Sequence, residues 1–336
     1  MSGGVDSSVS AVLLQKQGYE VVGVTVDFTG DKEKEAQDAK HVCEKLGISH
    51  YEYDARSEFQ EKVIKPFITC YQNCFTPNPC VECNRYLKFG KMYEFAQSLG
   101  IDKIATGHYA KIEQNKQGEY CLKKSASETK DQSYVLYSIP REVLSHVIFP
   151  LEGYTSKEEI RKIAEEELPI AQKPDSQDIC FIPDGDYAKF LEKMGQEARG
   201  GNIVNRKGEV LGKHQGLYHY TIGQRRGLGI ANPVPLFVLD FNQEKNELIV
   251  GEEAELYQNA FTVTDVNWLM EDVPETLEVT VKIRYHAKEA EGQVVREDGK
   301  VKVKLKEPQR GITPGQSAVF YQGDRVIGGG KIEREK

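Results

Sequence analysis

Residues 2–8 read SGGVDSS, and no other stretch limits so strongly what this chain can fold into. Adjacent glycines let the backbone turn tightly enough to aim several amide N–H groups at one anion, and the serines add hydroxyl donors before a helix expected from about Val9. The pattern predicts a pyrophosphate cradle in which Ser2, Gly3, Gly4, Val5, Asp6 and Ser7 meet the phosphates of ATP. A GxxxxGK[ST] loop would set a lysine on the terminal phosphates. No lysine follows the glycines here, which points to cleavage between the α and β phosphates. Asp6 is expected to hold Mg2+ or to brace the loop. The plainer alternative is a Gly-Gly turn capped by Ser7 at a helix start. Such a cradle normally follows a buried parallel strand, whereas this one opens at residue 2. The expectation is a chain that starts late rather than another segment in the central strand position, because an empty position exposes the backbone of its neighbours.

From the loop to about His108, strands alternate with helices. Residues 9–17 and 31–46 read as helices closed by Gly18 and Gly47, and further helices are expected over 57–71 and 84–99. YEVVGVTVDF, ISHYEYDA and IDKIATGH read as the strands between them. This is the pattern of an α/β fold with a doubly wound parallel sheet, whose ligands sit at the carboxyl ends of the strands, where SGGVDSS and GHYA both fall. Residues 130–194 turn helical, with Thr155 and Glu158 at capping-box spacing. Past Gly200 short strands punctuated by turn residues predict two small β-rich domains, the last a β-barrel. The expected domains are 1–195, 196–255 and 256–336, in keeping with a length too great for one core.

No apolar run approaches the roughly 18 residues of a membrane span, and no secretory leader opens the chain. Seven cysteines, two of them in a CxxC, suit a reducing cytoplasm better than a disulfide framework. In TPNPCVECN, Pro77 and Pro79 hold the chain extended ahead of a helix, so Cys80 and Cys83 are expected at or just before its N-terminus, where the dipole favours thiolate. Cys180 lies in the polar run PDSQDICFI, an unusual setting for a packing residue, although a strand position would make it a small hydrophobe. Cys43 sits on an apolar helix face and reads as core. Cys70 and Cys74, one helical turn apart, read as packing residues or a secondary metal site.

SGGVDSS, TPNPCVECN, ATGHYA, KDQSYVLY, DSQDICFIP, YTIGQRRGLGI and TPGQSAVFY, in that order, closely resemble the tRNA-specific 2-thiouridylases from Ser2 to about Gly330. The resemblance implies an adenine nucleotide alpha hydrolase-like domain that adenylates O2 of the wobble uridine in tRNAs for lysine, glutamate and glutamine, then replaces that oxygen with sulfur. It implies a persulfide on Cys180 and a nucleophilic partner in Cys83, with sulfur arriving from a cysteine desulfurase or persulfide carrier. Asn78, Pro79 and Cys80 match the segment that touches the target base, and Val26 and Gly107 match contacts to adenosine. The resemblance also implies tRNA contacts at His108, Lys130, Asp131, Gln132, Arg284, Tyr285 and Gln316. One common form of the family has Asp where Cys80 stands. With Cys80, Cys83 and Cys180 all present, three thiolates are enough for a four-iron four-sulfur cluster with one open iron, as proposed for the CxxC subset.

The formal charge of −8 argues against a nucleic-acid partner, but its distribution argues for one. Residues 199–226 carry six basic side chains (Arg199, Arg206, Lys207, Lys213, Arg225 and Arg226) against Glu209 alone. Such a patch suits RNA phosphates, and His214, Tyr218, His219 and Tyr220 offer rings and donors among them; a solvated basic loop is the bland reading. KVKVKLK should turn Val301, Val303 and Leu305 inward. Two readings compete with tRNA thiolation. One is a pyrophosphatase of the same loop type acting on a small molecule, which would need neither cysteine motif nor basic half. The other is a noncatalytic tRNA-binding or sulfur-carrying relative, against which the intact loop and both family cysteines stand.

Overall fold

Gly4 caps a helix that runs Val5–Lys16, so the helix starts at Val5 rather than near Val9. The serines explain the difference. Ser8 and Ser10 donate their hydroxyls to the carbonyls of Gly4 and Asp6 at 2.9 and 2.8 Å, Ser7 donates to the Gly4 carbonyl at 3.1 Å, and only Ser2 stays ahead of the helix, its hydroxyl 3.0 Å from that of Ser7. Val5, Val9 and Val12 pack against Ile160, Ala164 and Leu168, which fixes a second helix, Lys157–Glu167, beside the first. Its capping box is Ser156 with Glu159, one residue later than expected. The Ser156 hydroxyl accepts from the Glu159 N–H at 3.3 Å while the Glu159 carboxylate accepts from the Ser156 N–H at 3.0 Å.

This computed structural model describes residues 1–31, 33–168, 170–173 and 179–334. Asp175 to Asp178 of the DSQDICF motif lie outside the described residues. Strand β1 (Gly23–Asp27) pairs in parallel with β2 (His50–Asp54), and the Met1 amino group donates to the Val24 carbonyl. Strand β3 (Ile104–Ala105) is far shorter than IDKIATGH suggested, because the chain turns away at Thr106, whose hydroxyl meets His108 Nδ1 at 2.7 Å. An antiparallel hairpin follows, β4 (Lys111–Gln114) with β5 (Tyr120–Lys123), and β6 (Val147–Ile148) returns to pair in parallel with β3. The α/β part thus holds two parallel strand pairs flanked by helices.

Residues 79–98 form one helical run beginning at Pro79 rather than Asn84, with a π-type stretch over Cys83–Lys91. Asn78 caps it by accepting the Cys80 N–H at 3.2 Å. A central unit follows, with strands β7 (Gly201–Val204), β8 (Val210–His214), β9 (Phe237–Asn242) and β10 (Glu247–Gly251) in the order β8-β7-β10-β9. The last unit comprises β11 (Tyr257–Trp268), β12 (Thr276–Lys282), β13 (Ala290–Glu297), β14 (Lys300–Arg310), β15 (Ser317–Gln322) and β16 (Arg325–Ile332). These six run β11-β14-β13-β12-β15-β16, and β11 pairs with β16 to close an antiparallel barrel. Strand β14 alternates as its sequence requires, with Val301, Val303 and Leu305 buried inside. The β4–β5 hairpin joins the barrel sheet where Lys123 meets Arg325, so the first and last units share one sheet.

Candidate active site and nucleic-acid interface

Gly3 lies in the left-handed region, φ 65°, and a side chain there would overlap the Glu35 carbonyl. Gly107, two residues past β3, also approaches this loop. A Cβ on it would stand 2.8 Å from the Asp6 carbonyl carbon and 2.9 Å from the Ser7 nitrogen, so only glycine fits. Asp6 is held twice through one oxygen. Lys157 Nζ lies 2.6 Å from Asp6 Oδ1, and the Tyr109 hydroxyl donates to that oxygen at 3.2 Å. Tyr109 is clamped in turn, its N–H donating to Gln132 Oε1 at 3.0 Å and its carbonyl accepting the Gln132 N–H at 2.8 Å. Lys157 and Tyr109 were not legible as site residues. The signal for Lys157 was its place as the first residue after a helix cap, a position that many surface lysines share. Val26 lies on β1 opposite Tyr53, and Asp27 at that strand's end accepts from the N–H groups of Thr29 and Gly30 at 3.1 and 2.8 Å.

The loop therefore has backbone donors, hydroxyls and one nearby ammonium, a donor set that fits pyrophosphate. For a divalent cation the loop offers the Asp6 carboxylate, and a cation bound chiefly to phosphates needs only one or two.

Cys80 and Cys180 are exposed, whereas Cys83 is 7% exposed within an apolar cluster of Phe59, Val63, Ile64 and Leu87. Phe181, next to Cys180, anchors that segment. Its ring lies 5.6, 5.3 and 5.2 Å from those of Phe59, Phe67 and Phe190, which leaves the neighbouring thiol at the surface. The expected lowering of the Cys80 pKa by the helix N-terminus is overturned. Cys80 is exposed on one side but hemmed in by protein on the others, and this burial pushes its thiol up; Lys88 opposes the shift, and the neighbouring Cys180 adds to it. Burial also raises the thiols of Cys43, Cys70 and Cys74, of which Cys43 is fully buried and Cys74 packs into the core of the central unit. Among the described residues no three His, Cys, Asp or Glu side chains gather as a metal-binding group. With Cys83 turned into its apolar cluster, Cys80, Cys83 and Cys180 do not fit an iron–sulfur cluster in this arrangement.

Around the cysteines stand several residues expected to face RNA. Tyr285 donates its hydroxyl to the Asp131 carbonyl at 3.2 Å and lies close enough to Cys80 to sense its charge. The Asp131 carboxylate accepts from Ser125 N–H and Ser133 Oγ at 3.0 and 2.7 Å, and Lys130 beside it is exposed. His108 sits near the rings of Phe89 and Phe149, and burial, then Lys88, keeps it well below the usual imidazole range. Pro79 is buried and Asn78 half-buried. Arg284 is already engaged: its Nη2 donates to the carbonyls of Ile222 and Gly311 at 3.0 and 2.9 Å and to Thr313 Oγ1, joining the central unit to the barrel. Gln316 donates to the Thr76 carbonyl at 2.8 Å.

In the basic segment Arg199, Lys207, Lys213, Arg225 and Arg226 are exposed, and exposed Arg206 pairs with Glu255 at 2.8 Å. The interleaved rings mostly pack. His214 and Tyr220 are buried, His214 Nε2 meeting the Asn246 carbonyl at 3.0 Å, and Tyr218 packs against the cluster of Phe67, Tyr71, Ile182 and Leu191.

An α/β domain with a glycine-rich loop suited to phosphate, followed by two β-rich units, is the arrangement of a nucleotide-using enzyme. Residues 1–184 match the family described as tRNA methyl transferase HUP domain, 188–252 its PRC-barrel domain, and 258–332 the aminomethyltransferase beta-barrel domain. The chain is 46% identical over 352 residues to the tRNA-specific 2-thiouridylase MnmA of Acetivibrio thermocellus, covering 99% of this chain and 98% of the relative. It is 47% identical over 349 residues to the protein of that name from Clostridium botulinum (strain Alaska E43 / Type E3), covering 99% and 96%. The chain belongs to the tRNA-specific 2-thiouridylase family.

Proposed function

We propose that this protein is a tRNA-uridine sulfurtransferase that uses ATP to place sulfur on C2 of the wobble uridine in tRNAs for lysine, glutamate and glutamine. The observation that carries this reading is the joining of two chemistries in one domain. The GHYA segment closes on the phosphate loop at Gly107 and Tyr109, and continues to the residues around Cys80 through Gln132 and Asp131. In the first half-reaction uridine O2 attacks the α phosphate of ATP. Pyrophosphate leaves toward Ser2–Ser7, where the Lys157 ammonium offsets its charge, and Asp6 orients Lys157 and would hold a magnesium ion that screens the phosphates.

In the second half-reaction the terminal sulfur of a Cys180 persulfide attacks C2 and AMP departs, leaving the base joined to Cys180 through two sulfurs. The Cys83 thiolate then attacks Cys180 Sγ, which releases the thiolated base and forms a Cys83–Cys180 disulfide. Alternatively Cys83 frees hydrosulfide from the persulfide first, with the same disulfide left behind. Either way an external dithiol must supply two electrons to reset the pair, and a cysteine desulfurase or persulfide carrier must reload Cys180. Cys83 needs the segment to move, since it is buried here. Functional units ending near 195 and 255 follow this division of labour: chemistry first, RNA contacts after. No helix of the described residues is long and apolar enough to cross a membrane.

Pyrophosphate release measured with and without unmodified tRNA, together with nucleoside analysis of the product, tests the reading. The expected result is release that depends on tRNA and 2-thiouridine in the RNA. Release driven by a small acceptor without RNA would replace this function with a small-molecule pyrophosphatase.

A further inference from the structure

The segment bearing Cys80 and Cys83 is gripped from outside its own domain. Arg334 Nη2 donates to the Cys74 carbonyl at 2.6 Å, the Thr76 N–H donates to the Pro314 carbonyl at 3.0 Å, and Gln316 holds the Thr76 carbonyl. The strongest hold lies between the two cysteines. Glu82 of CVEC, with a side chain only 12% exposed, pairs with Lys331 of β16 at 2.8 Å. Lys331 also reaches Asp265 of β11 at 3.1 Å, and Asp265 accepts two bonds from Arg85 at 2.9 and 3.0 Å. Four charges of alternating sign thus run from the cysteine helix through two barrel residues and back to the helix one turn on. The barrel strand is bent to do this. Asp265 has φ 50°, in the left-handed region, at a register shift between Thr264 and Asn267. Bulges of this kind re-aim a side chain at a local cost, and here the side chain points at the cysteine helix.

We infer that Lys331 and Asp265 are positioning residues for sulfur transfer: the C-terminal barrel sets the register of the Cys80–Cys83 turn through Glu82 and Arg85. Glu82, Arg85, Asp265 and Lys331 bond one another, whereas Lys157 and Tyr109 hold the Asp6 carboxylate, so the two clusters are built from different residues. Removing the Lys331 charge leaves Glu82 and Asp265 facing each other without a cation between them, which forces the helix turn to shift. A displacement near 1 Å is enough to slow the attack of Cys83 on Cys180 Sγ, which needs the sulfurs aligned, while adenylation at the loop proceeds.

This inference rests on the function proposed above, so its test carries one readout that does not. Lys331→Met and Glu82→Gln are compared with the parent protein and with Lys331→Arg, which keeps a cation in reach of both carboxylates. In the full-length protein, mass-spectrometric alkylation should show Cys83 labelled faster in the first two variants and unchanged Cys43. In the tRNA assay, 2-thiouridine formed per pyrophosphate released should fall about tenfold or more in Lys331→Met and Glu82→Gln. Tm should fall in both charge-removing variants, tRNA affinity and tRNA-dependent pyrophosphate release at a temperature below both transitions should stay near the parent values, and Lys331→Arg should restore most of the ratio. Unchanged Cys83 labelling, or pyrophosphate release and thiolation falling in equal proportion, would overturn the inference. Faster Cys83 labelling with no thiolation by the parent protein would keep the positioning role and sink the proposed reaction instead.

Discussion

Lys157 Nζ stands 2.6 Å from Asp6 Oδ1 across 151 residues of sequence. The loop that lacks its own lysine therefore receives one from the start of a distant helix, and the packing of Val9 and Val12 against Ile160 and Ala164 delivers it. A cation in that place, its side chain 13% exposed, can meet charge as it develops on departing pyrophosphate. Lys157→Met is expected to lower tRNA-dependent pyrophosphate release about a hundredfold, by analogy with loss of one preorganised charge-stabilising donor. Affinity for tRNA, measured by filter binding, should not change. A matching loss of tRNA affinity would place Lys157 in the RNA interface instead.

Arg225 and Arg226 stand exposed in the turn built by Gln224, whose amide accepts from the Thr221 N–H at 3.0 Å and donates to the Arg226 carbonyl at 3.0 Å. Replacing both by Ala should weaken tRNA binding and reduce the slope of log affinity against log salt by roughly one unit for each RNA phosphate that an arginine no longer neutralises. The KM for ATP should hold. A salt slope equal to that of the parent protein would show that this turn faces away from the RNA.

Much of this site was legible because its chemistry is local. A phosphate loop needs consecutive small residues, and a barrel strand such as KVKVKLK shows its inner face in its alternation. What was hidden depends on partners far along the chain. Glu82 reads as an ordinary helix glutamate until Lys331 arrives, and nothing local to Arg284, matched to an RNA contact by resemblance, shows that its guanidinium also meets the Ile222 and Gly311 carbonyls. His214 and Tyr220 alternate with polar neighbours as an exposed binding segment would, yet they fill the small central core because so few strands there need every ring they have. The thiol of Cys80 failed in the other direction. A helix N-terminus favours thiolate, but the protein packed around Cys80 pushes its thiol up.

His108 gives a stability signature. Burial, with Lys88 nearby, holds its folded-state pKa well below the ordinary value of 6.5. Above that value the ring is neutral in both states and contributes no pH dependence. As pH falls below it the unfolded chain takes up a proton that the folded one refuses, so stability is lost, by at most about 1.4 kcal/mol per pH unit from this group. His50 and His214 are shifted in the same direction by burial and add to the slope. Urea denaturation of His108→Asn, which keeps a partner for the Thr106 hydroxyl, should show a shallower stability loss between about pH 6.5 and about pH 5 than the parent protein. An identical slope in both proteins would mean that His108 protonates in the fold without penalty.

Cys80→Asp separates the two ways in which three cysteines can serve one sulfur transfer. Here Cys83 lies in an apolar cluster while Cys80 and Cys180 are exposed, and the set does not converge on one point. A persulfide on Cys180 resolved by Cys83 makes no demand on the thiol at position 80. The variant restores the residue common in the family, and Lys88 beside it would favour the carboxylate. It is expected to make 2-thiouridine aerobically, from a persulfide donor and metal-free protein, at a rate within about tenfold of the parent. A cluster route predicts the opposite, because carboxylate is a harder and poorer ligand than thiolate for iron–sulfur chemistry. Cys83→Ser and Cys180→Ser abolish activity under either route and decide nothing. The deciding comparison is parent and Cys80→Asp, each metal-free and each anaerobically reconstituted with iron and sulfide. Activity confined to reconstituted parent protein, absent from both forms of the variant, would overturn the persulfide route and show that the three thiols converge on a cluster during turnover.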